Sequence, residues 1–345
     1  MTFNSLGGNI FLFGLGFILL AGGAELLVRG SSRIALRFNV PAVVVGLTIV
    51  AFGTSLPELL VSLLANLQGE AGSPMAIGNI VGSNIANIGL ILGVTGLLTA
   101  IPVDRALVRR EIPLVIIVSL LFTLMAWPGS INRLNGLLLT AGLLAFTYYS
   151  YNSSRTSPEK YEEGEEALEL IDPEITEPSR TIAIDLGYVI LGIVALVAGA
   201  NWLVQSAQFI ARAMGVSELI IGLSLVAVGT SLPELATSII AILRKEGDIA
   251  VGNIVGSNLF NMMFIGGVAS LIRPLPVPAS MRTLDLPVMV GFSVLLFLLV
   301  LRRPHVIDRF EAAVLLIAYA TYMAWLFFSG NIEPGVAAII GFVGI

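Results

Sequence analysis

Ten predominantly apolar runs, near 8–29, 41–67, 74–100, 110–128, 134–151, 181–210, 216–243, 248–271, 284–301 and 306–329, fill most of this 345-residue chain. Crossing ~30 Å of hydrocarbon takes about 20 helical residues, and nearly every run reaches that length. In lipid each backbone N–H and C=O must find a partner within the protein, which leaves helices or closed barrels. Barrel strands would read as short alternating segments; these runs are continuous. The expected class is therefore all-α, a polytopic membrane protein with ten transmembrane helices. Composition agrees, with 56% hydrophobic and 12% charged residues and a mean hydropathy of +0.94. The AGGA at Ala21–Ala24 resembles a signal-peptidase site, but no Lys or Arg precedes it and a similar VAGA recurs at Val197–Ala200, so the first helix is read as retained. The chain has no cysteine, which removes disulfides and thiolate metal sites. The surroundings expected are the lipid bilayer; no nucleic acid is expected, and the sequence names no protein partner.

Basic residues fix an expected orientation. If ten helices alternate, one face receives Arg29, Arg33, Arg37, Arg105, Arg109, Arg110, Arg155, Lys160, Arg180, Arg244, Lys245, Arg302, Arg303 and Arg309, and the other only Arg133, Arg212, Arg273 and Arg282. The richer face should be cytoplasmic. Both termini then lie outside the cell, with the chain in the plasma membrane. Residues 152–180 interrupt the apolar pattern with nine carboxylates against Arg155, Lys160 and Arg180. This reads as a solvated acidic linker on the cytoplasmic side. It separates residues 1–151 from 181–345.

The two parts repeat one another. GLTIVAFGTSLPE from Gly46 matches GLSLVAVGTSLPE from Gly222 at ten of thirteen positions, and GNIVGSNIAN from Gly78 matches GNIVGSNLFN from Gly252 at eight of ten. Each part carries five expected helices, an odd number, so the second enters the membrane from the opposite side. Two inverted five-helix repeats with a site near the midplane are a recurrent plan of secondary transporters.

Pro57 cannot donate to the carbonyl of Gly53, nor Pro233 to that of Gly229, so each helix should break there and free a carbonyl. Ser55–Glu58 and Ser231–Glu234 also read S-x-x-E, a capping box that would restart the helix. A cap alone is a sufficient reason for such a glutamate in a soluble helix. Amid membrane-spanning sequence an ionisable group is costly and is usually functional, so Glu58 and Glu234 are read as ion ligands. In the second motif Asn79, Ser83 and Asn87 recur every four residues and share a helix face, as do Asn253, Ser257 and, at the same position as Asn87, Asn261. Ser83, Asn87, Ser257 and Asn261 are read as ligands, whereas Asn79 and Asn253 serve equally well as interhelical glue. Carboxylates, hydroxyls, amides and freed carbonyls are all oxygen donors. Such a mixed set suits calcium and sodium better than zinc or copper.

GTSLPE paired with GNIVGSN, twice and inverted, resembles the two repeats of the cation/calcium exchanger superfamily, in particular its sodium/calcium exchanger branch of prokaryotic type. The resemblance spans nearly the whole membrane portion. It implies a ten-helix antiporter, not an enzyme, without cofactor, whose transported ions are calcium and sodium. Helices 2, 3, 7 and 8 would enclose the ions, and helices 1 and 6 would slide past them. By motif position Glu58 and Glu234 would be shared central ligands, helped by Thr54, Ser55, Thr230 and Ser231. Ser83, Asn87, Ser257 and Asn261, with the carbonyls of Ala51 and Ala227, would complete the sites. Relatives with Asp at one of the positions matching Asn87 and Asn261 resemble potassium-dependent branches; here both are Asn, which argues against potassium. A proton/calcium antiporter is the nearest alternative.

Two intramembrane carboxylates could also serve as an acid/base dyad, but the G-x-G-D setting of intramembrane aspartyl proteases is absent. A channel would share the oxygen chemistry without needing alternating gates. The topology has a direct test. In right-side-out vesicles an impermeant thiol reagent should label Ser73→Cys and spare Ser154→Cys, against a background free of native thiols. Labelling of both from one face would contradict the odd helix count on which the inversion depends.

Overall fold

The structure is a computed structural model and describes residues 5–38, 40, 42–69, 72–155, 181–213, 229–302 and 305–328. In chain order its main helices are α1 (Leu6–Phe38), α2 (Val43–Thr54), α3 (Leu56–Leu67), α4 (Ser73–Leu98), α5 (Ile112–Ala126) and α6 (Arg133–Arg155). After the acidic linker, whose residues 156–180 lie outside the described ones, follow α7 (Ile182–Ala213), α8 (Leu232–Leu243), α9 (Gly247–Ile272), α10 (Asp285–Val300) and α11 (Arg309–Phe328).

Among the described residues six helices are long and apolar enough to span a bilayer, or seven if the bent pair α2 and α3 counts as one span. Helix also occupies the remaining expected runs. There α5 has only 15 residues of regular α-helix, α6 mixes Asn, Ser and Arg among its leucines, and α8 is the 12-residue end of a run whose residues 214–228 lie outside the described set.

The layering follows composition. Helices α4 and α9 carry the Gly, Ser and Asn of the second motif, and 78% of each spanning window is buried. The windows of α1 and α7, richer in Leu, Ile and Val, are 33% and 28% buried. Polar and small residues thus occupy the protein interior, and the aliphatic helices take the periphery.

Two antiparallel two-residue clips tie the parts together: β1 (Ile101–Pro102) pairs with β4 (Val306–Ile307), and β2 (Ser130–Ile131) with β3 (Leu275–Pro276). The continuous apolar runs gave no sign of them. Such short pairings carry little apolar pattern, and their register is visible only once the helices are packed.

Helices α1 and α7 run antiparallel in close contact along much of their length. Gly16, Gly23 and Gly30 stand seven residues apart on α1 and face Leu203, Leu196 and Val189 in turn on α7. A Cβ on Gly23 would meet the Leu196 amide nitrogen at 2.7 Å, and one on Gly192 would meet that of Leu27 at 2.6 Å. Small residues let membrane helices approach to backbone contact, where van der Waals packing holds them. Gly14, on the open side of α1, has nothing within 4 Å of its virtual Cβ. Accordingly Gly23→Ala and Gly192→Ala should each destabilise the detergent-purified protein by about 1–3 kcal/mol, read as a fall in the unfolding midpoint, whereas Gly14→Ala should leave it unchanged. Equal midpoints for Gly14→Ala and Gly23→Ala would refute this packing.

Candidate cation site

The first GTSLPE lies at the junction of α2 and α3. Ser55, with φ −83° and ψ 8°, leaves helical geometry, Pro57 occupies the first turn of α3, and the two helices meet at 47°. Ser231 has nearly the same backbone, φ −90° and ψ 8°, and Pro233 sits likewise in the first turn of α8. Neither serine caps its own helix through its side chain. The capping reading of S-x-x-E therefore does not describe these hydroxyls, because they point across the molecule.

Ser55 Oγ donates to Glu234 Oε1 at 3.0 Å and lies 3.1 Å from Ser257 Oγ, which is itself 3.5 Å from the same carboxylate oxygen. The reverse contact is Ser231 Oγ donating to Glu58 Oε1 at 3.4 Å. Each break thus supplies a hydroxyl to the glutamate of the other half. Both glutamates are 1% exposed, and Oε2 of each is buried without a hydrogen-bond partner.

The threonines before the serines are held in the same reciprocal way. Thr54 Oγ1 donates to Asn253 Oδ1 at 3.0 Å, and Thr230 Oγ1 to Asn79 Oδ1 at 3.4 Å. Each amide nitrogen then returns to its own half: Asn253 Nδ2 to Ser238 Oγ at 3.4 Å, and Asn79 Nδ2 to Ser62 Oγ at 2.9 Å and to the Glu58 carbonyl at 3.1 Å. Asn79 and Asn253 therefore act as the glue between halves. Ser62 and Ser238 were missed by the sequence reading, although each stands four residues after its glutamate. One helical turn places them beside it.

Asn87 and Asn261 each lie in a π-helical stretch, Asn87–Ile91 and Phe260–Ile265. A π turn inserts one residue into the α register and is frequent at functional sites. Asn87 Nδ2 donates to Asn258 Oδ1 at 3.0 Å, which leaves Asn87 Oδ1 buried and unpartnered, and both polar atoms of the Asn261 amide are buried without partners. Asn258 was not singled out by the sequence. Ser83 is buried on α4, one turn before Asn87. The Ala51 carbonyl accepts the Ser55 N–H at 3.1 Å and the Thr54 hydroxyl at 3.4 Å, while Ala227 lies outside the described residues.

Four buried oxygens, Glu58 Oε2, Glu234 Oε2, Asn87 Oδ1 and Asn261 Oδ1, are thus left without a hydrogen-bond donor. A buried polar atom without a partner costs roughly 1–3 kcal/mol, more for a charge. Bound cations are the chemistry that such an oxygen set accommodates.

Comparison with known proteins agrees with this geometry. The family described as "Sodium/calcium exchanger protein" matches the chain twice, over residues 8–152 and 184–328. The chain is 38% identical over 317 residues to the putative antiporter CaxA of Alkalimonas amylolytica, covering 91% of this chain and 97% of that protein. With the sodium/calcium exchanger MaX1 of Methanosarcina acetivorans it shares 32% identity, over 93% of this chain and 99% of the relative. Among solved structures, the sodium-calcium exchanger NCX_Mj soaked with 10 mM Na+ and zero Ca2+ superposes with a TM-score of 0.78 at 31% identity, over 93% of this chain and all of the other. The doubled match, falling on the two copies of GTSLPE and GNIVGSN, makes this chain a multi-pass membrane transporter of the sodium/calcium exchanger family.

Proposed function

We propose that the chain is a secondary active antiporter that exchanges sodium for calcium by alternating access. In this reading residues 1–151 and 181–345 are two inverted five-helix repeats joined by the acidic linker 152–180. They sit in the plasma membrane with the basic face cytoplasmic and both termini outside. The observation that carries the reading is the reciprocal bonding at the breaks. Each glutamate accepts a serine hydroxyl from the opposite half, while its second oxygen is buried with no donor. A site assembled from both halves can be closed from either side by moving one group of helices against the other.

The ligands are Glu58 and Glu234 at the centre, Thr54, Ser55, Thr230 and Ser231 at the breaks, and Ser83, Asn87, Ser257 and Asn261 on α4 and α9. The Ala51 and Ala227 carbonyls complete the set. Two carboxylates balance one divalent ion, or are shared among monovalent ions whose remaining coordination comes from neutral oxygens. Because the same carboxylates must be compensated in either case, calcium and sodium compete for them, and competition for one fixed charge is what couples their movements. Sodium as counter-ion is supported by the all-oxygen donor set, with Asn at both 87 and 261, and by relatives that are themselves named sodium/calcium exchangers.

Glu58→Gln and Glu234→Gln should each reduce sodium-driven calcium uptake into reconstituted vesicles by at least about a hundredfold, since losing one of two buried charges opposite a divalent ion costs roughly 3–5 kcal/mol. Folded yield, followed by size-exclusion profile, should be preserved. Near-normal uptake in either variant would reduce that glutamate to a structural residue and remove the basis of the proposed exchange.

A further inference from the structure

Helices α1 and α7 form a unit distinct from the helices that hold the site. With glycine backbones in mutual contact along their length, nothing flexible lies between them, and Arg37 on α1 also pairs with Asp185 on α7 at 3.0 Å. An ion pair bridges this unit to a site-bearing helix. Glu25 on α1 pairs with Arg29 one turn on and with Arg244, whose Nε lies 3.0 Å from Glu25 Oε2. Arg244 is the C-terminal cap of α8, the half-helix that starts at the Ser231 break and carries Glu234.

The internal repeat supplies a comparison for this cluster within the same chain. The second GTSLPE starts at Gly229 and the first at Gly53, an interval of 229 − 53 = 176 residues. At that interval Glu25 corresponds to Asn201, Arg29 to Gln205, and Arg244 to Gln68. Gln68 is likewise the C-terminal cap of a 12-residue half-helix, α3. Gln205 Nε2 donates to Asn201 Oδ1 at 2.9 Å, with the same four-residue spacing as Arg29 and Glu25. What is a cluster of three charges on one face is a set of three neutral amides on the other.

This asymmetry bears on the exchange cycle. In an inverted repeat the two end states arise by exchanging the conformations of the halves, so identical halves would populate them equally. Any difference between corresponding residues at a contact that is made in one state and broken in the other shifts that balance. We propose that Glu25, Arg29 and Arg244 form an ionic latch that favours the conformation in which α1 is seated on α8, closing the site from the basic face. Asn201, Gln205 and Gln68 are its weaker, uncharged counterpart for closure of the opposite face. The resting orientation of the transporter is then written into three pairs of corresponding residues outside the ion site. At 24% and 27% exposed, Glu25 and Arg244 are only partly screened by solvent, so their attraction survives at physiological ionic strength.

The inference rests on the alternating-access reading, and one experiment separates the two. A single cysteine at Ser231 is labelled with an impermeant thiol reagent in oriented vesicles free of sodium and calcium, from the basic face and from the opposite face. Glu25→Gln and Arg244→Gln should each raise the ratio of basic-face to opposite-face labelling by roughly two- to tenfold. Placing the charges on the other face, as Asn201→Glu with Gln68→Arg, should raise the same ratio from a distant position by stabilising closure there. The gain-of-charge variant and Arg244→Gln carry the test if Glu25→Gln fails to fold. If the unaltered reporter protein labels from both faces but the variants leave the ratio unmoved, or slow both rates equally, the latch is wrong and alternating access stands. If the reporter labels from one face alone whatever ions are supplied, both fall.

Discussion

The structure depends on two carboxylates placed where a membrane-spanning bundle can least accommodate them. Glu58 and Glu234 are almost fully buried, and a charge in that setting is tolerable only when hydrogen-bonded and matched by a counter-charge. The protein supplies half of what is needed. Ser55, Ser231 and Ser257 satisfy one oxygen of each glutamate, and they do so from the other half of the chain or from the adjoining motif. The second oxygen of each is buried without a hydrogen-bond donor. The surrounding architecture keeps those serines in place: the prolines that break the helices, the asparagines that anchor the threonines, and the glycines that let α9 approach α2.

That approach is specific. A Cβ on Gly256 would lie 2.6 Å from the Leu47 carbonyl, and one on Gly252 would lie 2.7 Å from that of Val43. The glycines of GNIVGSN therefore bring the second motif of one half against the first motif of the other. Without that contact Ser257 could not share a carboxylate oxygen with Ser55. The two motifs are thus coupled physically as well as repeated in sequence.

Much of this site was legible in the residues because a glutamate in apolar surroundings is conspicuous and its repetition at Glu234 doubly so. The Pro-induced breaks were equally plain, since a missing N–H is a property of one residue type. The direction of the Ser55 and Ser231 hydroxyls was not, because a cap and a cross-molecule bond use the same donor in the same S-x-x-E spacing. Spacing puts Ser62 and Ser238 one turn from their glutamates, but their bonds to Asn79 and Asn253, and that of Asn258 to Asn87, depend on which helices face one another. The π turns at Asn87 and Asn261 were also hidden, for a register shift of one residue leaves no mark in an apolar run. Ala227 lies outside the described residues.

The central claim is that the two-glutamate site couples calcium to sodium, and the choice of counter-ion tests it most directly. Purified protein in sealed vesicles would be given radioactive calcium on one side, with sodium, potassium and proton gradients imposed one at a time. The account predicts uptake driven by an outward sodium gradient, abolished when sodium is absent from both sides, and indifferent to potassium. Uptake driven by a proton gradient and indifferent to sodium would contradict it.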